Sequence, residues 1–392
     1  MTLTAIEPEV YPWFPYRGFT FCLGLAEGGA AWTSGQSAGV FDPEVGKNVV
    51  RGTMAEQART SYTKLLAVLA DAGLNPEDVV HVVENVTASG LPHYADAAAV
   101  RREVFGEHRP AVTTVAVDRL VRGAAFIEIE LHGIPGAGRE LGAVPGWTDT
   151  VVREGHDGVV HVPTLLPVDE HGVVQHPGDV RAQYRYLQER AEAVLAAAGL
   201  TTDHLVSAQE YLAAPSASAH AELAALRGER WGAGAVGGTV VMGRLHLEGI
   251  EVAMDLIATR AEKTVLDPGW ARFADQPVAP AVEAAGVVYL SAIASLDRTT
   301  GELLHENDLA GQAEEVYGQL VELVRFAGGE PASVRSTIEF CVADRIGEYR
   351  AVAPVRERLL SAPWPASTGD LCTAFPVQGA LLQTTAIAHR VG

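Results

Sequence analysis

The sequence is poor in cysteine and in basic residues, and it has no long apolar run. Its three cysteines, Cys22, Cys341 and Cys372, are odd in number and widely spaced. They make no disulfide framework and fit a reducing, cytoplasmic setting, with buried thiols expected rather than a nucleophile. Lysine is scarce, and 29 basic residues face 49 acidic ones, for a formal net charge of −20. Nucleic acid and anionic membrane surfaces would repel such a chain, so neither is expected as a partner. No apolar stretch approaches the roughly 18 residues that a membrane-spanning helix needs. No basic segment leads an apolar run at the N-terminus, so no secretory signal is expected. No glycine-rich phosphate loop opens a helix and no G-x-S-x-G elbow occurs, so no cofactor is expected. His156, His161, His171 and His176 are spaced by five, ten and five residues. That spacing fits no zinc signature, and no metal is expected.

What the chain does have is an internal repeat. Gln57 precedes Gly73 by sixteen residues, and Gln183 and Gln312 precede Gly199 and Gly328 by the same step. Apolar residues between them fall at helical spacing, as at Tyr62, Leu65, Leu66 and Leu69, and a glycine stops each segment. The first unit then reads as a strand at Val79–Thr87, a helix at Tyr94–Phe105 and strands at Ala111–Val117 and Ala124–His132. Ahead of its long helix it has strands at Gly18–Leu25 and Gly29–Ser34. The same order recurs from about Thr148 and from about Ala279. Three units are expected, at 16–136, 148–261 and 279–392. They are joined by linkers near Ile134–Pro145 and Glu262–Pro280, and each linker carries Pro-Gly-Trp, whose tryptophans read as anchors between units.

The first unit resembles a Rid/YjgF-family domain. The resemblance rests on Thr33-Ser34-Gly35-Gln36 after a strand, the helix EQARTSYTKLLAVLADAG, Arg109-Pro110-Ala111 before a strand, and FIEIELHG. The third unit keeps Pro365-Ala366 and AIAHR, and the second is the most diverged. The resemblance implies an α+β, chorismate-mutase-like fold. It also implies that three tandem copies form a covalent pseudo-trimer around a central β core, with ligand sites in the three clefts between units. Whether that single-chain trimer is a monomer or dimer is left open.

The same resemblance frames the candidate site. Deaminating members carry an arginine after Pro-Ala, which grips a substrate carboxylate as a two-pronged fork. Here Val112, Gly237 and Ser367 stand in its place. Arg102, Arg119 and Arg122 are the nearby cations that could replace it. The family glutamate of the last strand is kept as Glu128, against Ala253 and Gln383. A carboxylate between isoleucines should have a raised pKa suited to acid–base work. Ser34, Gly35 and Gln36, with Val112 and Thr114, are expected to complete the substrate-binding cradle, Gly35 offering its backbone N–H to a ligand oxygen. Tyr16, Phe19 or Phe21 would supply an aromatic wall.

A second carboxylate set comes from the repeat itself. Counting twenty-seven residues from each glutamine gives Glu84, Glu210 and Glu339. They are either structural acids paired with arginine, or carboxylates placed in the clefts or near the pseudo-threefold axis. The expected function is acid–base chemistry (hydrolysis, dehydration, cyclisation or condensation) on an imine, enamine or related small-molecule substrate. The alternatives are a non-catalytic small-molecule-binding scaffold and a chorismatase-like hydrolase.

Overall fold

The computed structural model describes residues 3–391 apart from 145, 148 and 275. Pro145 of the first Pro-Gly-Trp step lies outside the described residues, as do Thr148 and Gly392, which bound the second and third expected units. Three long helices pace the chain: α1 (Met54–Asp71), α3 (Val180–Ala197) and α5 (Leu309–Phe326), each of 18 residues. Each starts where a side chain accepts an otherwise unmet backbone N–H. Thr53 forms a reciprocal capping box with Glu56 on α1, and Asp179 and Asp308 cap the other two. Gly73, Gly199 and Gly328 end them at φ of 78°, 71° and 84°, a backbone shape that other residues adopt only with strain. Shorter helices α2 (Tyr94–Phe105), α4 (His220–Trp231) and α6 (Val352–Leu359) follow in the three units.

The marker glutamines do not open the helices; each is the fourth residue. Their burial explains why they recur. Gln57 accepts from the Phe126 N–H and donates to the carbonyls of Gly52 and Ala124. Gln183 accepts from the Glu251 N–H and donates to the Gly249 carbonyl. Gln312 accepts from the Leu381 N–H and donates to the Gly379 carbonyl. Each glutamine thus latches the start of its long helix to the turn before the last strand.

Each unit builds one sheet. The first sheet runs Thr4–Ala5, Gly24–Glu27, Ala30–Thr33, Ile127–Gly133, Val79–Thr87, Ala111–Val117. The second runs Arg139–Ala143, Val151–Glu154, Val159–Leu165, Val252–Thr259, Leu205–Ala213, Val236–Met242. The third runs Lys263–Leu266, Ala281–Ala284, Val287–Ala294, Leu382–His389, Val334–Val342, Ala366–Cys372, and adds Arg119–Leu120 from the first unit at its edge. In every sheet the two strands on either side of the shorter helix are parallel, and the other pairs are antiparallel. The fold is therefore α+β, with three Rid-like units forming a pseudo-trimer.

Three sequence expectations are corrected here. The stretches read as linkers supply edge strands, Arg139–Ala143 and Lys263–Leu266, to the second and third sheets. Gly18–Leu23 is not a strand; only Gly24–Glu27 is, because the aromatic-rich segment before it folds onto α1 instead. The two tryptophans, expected to anchor one unit on its neighbour, are held by contacts within their own units. Trp147 donates its indole N–H to the Thr164 carbonyl, and Trp270 is buried against Phe273. Cys22, Cys341 and Cys372 are free and buried.

Strand alternation places the core. His81, Val83 and Asn85 line one central cavity of about 130 Å³, together with their equivalents Ser207, Gln209 and Tyr211, and Ser336, Ile338 and Phe340. The pseudo-threefold axis runs through it. The alternate residues face the helices. Replacing Gln57 by leucine should orphan one buried N–H and two carbonyls, costing about 2–3 kcal/mol. A lowered urea midpoint for Gln57→Leu, with an unchanged slope, checks this.

Candidate functional site

The three seams between units share one hydrogen-bond pattern. The backbone N–H at the position of the family arginine donates across the seam to a hydroxyl, and that hydroxyl donates onward to a carbonyl. Ser367 N–H reaches Ser34 Oγ at 2.8 Å, and Ser34 donates to the Cys22 carbonyl. Gly237 N–H reaches Ser291 Oγ at 2.9 Å, and Ser291 donates to the Ala279 carbonyl. Val112 N–H reaches Thr150 Oγ1 at 2.8 Å, and Thr150 donates to the Pro110 carbonyl. At this last seam Pro163 stands where serine stands in the others, so Thr150 supplies the hydroxyl.

This pattern corrects the expected cradle. Ser34 is a seam residue. Gly35 donates its N–H to the Ser367 carbonyl at 3.3 Å and to Thr368 Oγ1 at 3.1 Å, so it is not a free oxyanion donor. A side chain there would collide with Glu128, whose Oε1 lies 2.5 Å from where a Cβ would be. Val112 and Thr114 lie at a different seam from Glu128, because each unit's cleft is completed by its neighbour. Thr114 N–H donates to Thr164 Oγ1 at 2.8 Å, and its carbonyl accepts from His246. That first–second seam is filled by Thr150, Thr164, Trp147 and His246.

The seam between the first and third units is open, with a cavity of about 410 Å³. Here the structure brings together Glu128, Gly35 and Gln36 with Lys64 and Arg122 from the first unit, and Tyr349, Arg350, Arg356, Ser367 and Gly369 from the third. Phe14 and Phe21 form the aromatic wall, while Tyr16 and Phe19 line a neighbouring hollow. The Arg122 guanidinium has neither hydrogen bond nor ion pair among the described residues, and of the three arginines considered from sequence Arg122 is the one in the cleft. Arg102 pairs with Asp149, and Arg119 sits on the edge strand. Burial lifts the Glu128 carboxyl from 4.5 to about 7, and the Arg122 and Lys64 cations oppose the rise. Burial lowers the Lys64 ammonium to about 7, helped by Arg122 and opposed by Glu128. Both groups thus titrate near neutrality in one cleft.

Lys64 and Arg356 escaped sequence reasoning. Lys64 lies on the buried face of α1, where its ammonium donates to the Ser37 and Gly39 carbonyls. Its equivalents Arg190 and Gln319 donate to the matching carbonyls of Val168 and Leu296. One sign was present: a lysine in a helix face otherwise made of Tyr62, Leu65 and Leu69.

Each member of the second carboxylate set is paired with tyrosine and arginine of its own unit. Glu84 accepts from Tyr62 at 2.5 Å and Tyr94 at 2.6 Å, and pairs with Arg101. Glu339 accepts from Tyr317 and Tyr349 and faces Arg356 at 4.0 Å. Glu210 accepts from Tyr184 at 2.6 Å and pairs loosely with Arg227 at 3.5 Å. All three point at their own unit's helices, away from the axis, because they alternate with the residues that line the central cavity. Only Glu210 also borders a cleft, that of the second–third seam, of about 160 Å³. There Arg227 fills the space a side chain at Gly237 would take, and Gln383 stands at the position that Glu128 holds in the first unit.

A family model described as endoribonuclease L-PSP matches residues 20–134. A RutC family protein of Pyrococcus abyssi is 37% identical over 90 residues, which are 23% of this chain and 68% of that protein. The mitochondrial protein mmf2 of Schizosaccharomyces pombe is 33% identical over 110 residues, 28% of this chain and 82% of its own. The crystal structure of the Escherichia coli YjgF gene product aligns at 30% identity with a TM-score of 0.28, covering 33% of this chain and 98% of that one. No helix is long and apolar enough to cross a membrane among the described residues.

The raised Glu128 carboxyl makes a pH prediction. Below pH 4.5 folded and unfolded chains both hold the proton. Between 4.5 and about 7 the unfolded chain releases it and the folded one keeps it, so stability falls with rising pH and then levels. Glu128→Gln should remove that loss. Its effect on unfolding free energy should be more favourable at pH 8 than at pH 5 by about 1–2 kcal/mol, after allowance for solvent screening at the cleft. Urea titrations at the two pH values check this.

Proposed function

The chain belongs to the endoribonuclease L-PSP family, the Rid/YjgF proteins, and on that premise we propose that its first–third cleft performs acid–base chemistry on a small anionic imine or enamine. The observation that carries this reading is a near-neutral carboxyl, Glu128, set among Lys64, Arg122 and Arg356 in the first–third seam cavity of about 410 Å³. The units are taken as 16–136, 148–261 and 279–392, with the edge strands added.

Arg122, reaching in from the loop after Arg119–Leu120, takes over the carboxylate-holding role left vacant by the missing family arginine. Arg356 adds positive potential from the floor. Phe14, Phe21 and Tyr349 shield the reacting atoms from bulk water, which strengthens every charge interaction inside. In the hydrolytic case Glu128, as carboxylate, removes a proton from water as the water oxygen bonds to the C=N carbon. The C=N electron pair moves to nitrogen. The protonated Glu128 then returns its proton to that nitrogen, giving a carbinolamine. Glu128 next takes the carbinolamine hydroxyl proton and passes it to the amine nitrogen as the C=O forms and the C–N bond breaks, and a ketone and ammonia leave. A net charge of −20 opposes a polyanionic RNA substrate, so the substrate is a small molecule rather than what the family description names.

A non-catalytic binding role is the second reading, favoured by the filled first–second seam. Turnover separates the two. Carboxylated enamines generated in situ from serine or threonine by a dehydratase should lose ammonia faster in the presence of the protein. Glu128→Gln should lower kcat by about 100-fold or more with an unchanged melting profile. Arg122→Met should raise KM about 10-fold while kcat changes little. Undiminished turnover in Glu128→Gln would remove the assigned acid–base group. Binding without acceleration by the wild type would leave the scaffold reading standing.

A further inference from the structure

One buried group behind the cleft has no counterpart in the other two units. The strand Ala366–Cys372 lends Ser367 and Gly369 to the cleft, so Thr368 and Asp370 point inward. Strand register pairs Asp370 with Phe340, as it pairs Val115 with Asn85 and Val240 with Tyr211. Asp370 therefore occupies a position that is a core valine in both sibling units. It is 1% exposed, and neither carboxylate oxygen has a hydrogen-bond partner. The charged groups that act on it are Glu128 and Glu130, both acids, and the Tyr211 phenol and the Cys372 thiol are the other ionisable groups near it. Glu130 has its own unpartnered oxygen, Oε1, also buried.

An ionised carboxylate in such a place would be an unpaired charge in a dry surround beside two others of the same sign. It takes up a proton instead. A protonated carboxyl is a donor, and an acceptor without a donor lies among the acids facing it. We infer that Asp370 is held as a neutral carboxylic acid whose O–H donates to the Glu130–Glu128 pair, supporting the ionised state of the cleft's base. It is a positioning residue, touching the base's surroundings and not the substrate.

The other groups facing Glu128 are Lys64 from α1, Arg122 from the following loop, Asn85 across the strand, and Tyr349, Arg350, Arg356 and Thr368 from the third unit. Of these the cations favour the carboxylate from the cleft side. Asp370 supplies the interior side, where no cation among the described residues acts on it.

The role in catalysis rests on the acid–base reading of the cleft; the protonation claim stands without it and is tested without substrate. Full-length protein carrying carbon-13 in its aspartate and glutamate carboxyls is titrated by carbon-detected NMR, with Asp370 assigned by its loss in Asp370→Val. Asp370 should remain protonated through pH 8. Removing the donor in Asp370→Val should raise the Glu128 titration midpoint by about one pH unit. Asp370→Asn, whose amide keeps a donor in the same shape, should leave it within a few tenths. If Asp370 titrates in the ordinary acid range, or if both variants lower the Glu128 midpoint as removal of a like charge would, the inference is wrong. Should Asp370→Val fail to fold, the infrared carbonyl band of a protonated acid at pH 8, present in wild type and absent in Asp370→Asn, decides the same question. A Glu128 that titrates as expected in a protein without turnover would count against the proposed function alone.

Discussion

The seam hydroxyl is the contact on which the arrangement depends. The edge strand of each unit's sheet would leave backbone groups unpaired, and an unpaired buried N–H is expensive. Ser34, Thr150 and Ser291 each meet one such N–H and pass a hydrogen bond onward to a carbonyl. Three repetitions of that contact close the ring and set the distance across each cleft. They also explain why one cleft is lined by residues of two units that need not be neighbours in sequence. Glu128 and Arg356 are more than two hundred residues apart and line the same cavity.

With the ring fixed, the seams have diverged by single substitutions. Threonine in place of Gly35 puts the Thr164 hydroxyl into the first–second seam, where it bonds Asp255 and accepts from Thr114, and the cleft is filled. Glycine at position 237 admits the guanidinium of Arg227 into the second–third seam. Glycine at position 369 makes room for the hydroxyl of Tyr349 in the first–third seam, where it closes on Glu339. Covalent linkage permits this, since a change in one copy is not imposed on the other two.

The architecture was legible in the sequence, and the site only in part. The repeat register, the long helices and the parallel strand pairs follow from periodicity and from glutamines and glycines at fixed steps. Glu128 followed from the family pattern. What sequence could not give was the partner across each seam: Ser34, Gly35, Val112 and Thr114 are all at seams, but at two different ones. Counting along one unit assigns a residue to a position without saying which neighbour faces it. Lys64 and Arg356 were hidden for a related reason. They lie on helix faces whose register predicts core packing, and only the tertiary contacts show them reaching carbonyls, acids and the cleft. Glu84, Glu210 and Glu339 were visible as a set, yet their tyrosine and arginine partners come from two helices, and in the second unit the tyrosine has moved one turn along, from the place of Tyr62 to Tyr184.

The short strand Arg119–Leu120 has a consequence for how such a ring escapes symmetry. It leaves the first unit to pair with Asp370 and Leu371 on the outer edge of the third sheet. An open sheet edge invites pairing with other molecules, and covering it is a form of protection. A ring of identical subunits must treat all its edges alike, whereas this chain borrows a strand for one of them. The borrowed strand clasps Asp370 from one side and delivers Arg122 two residues later into the cavity beside Glu128. A strand that covers a sheet edge thereby also carries a cation into one of the three clefts and not into the other two.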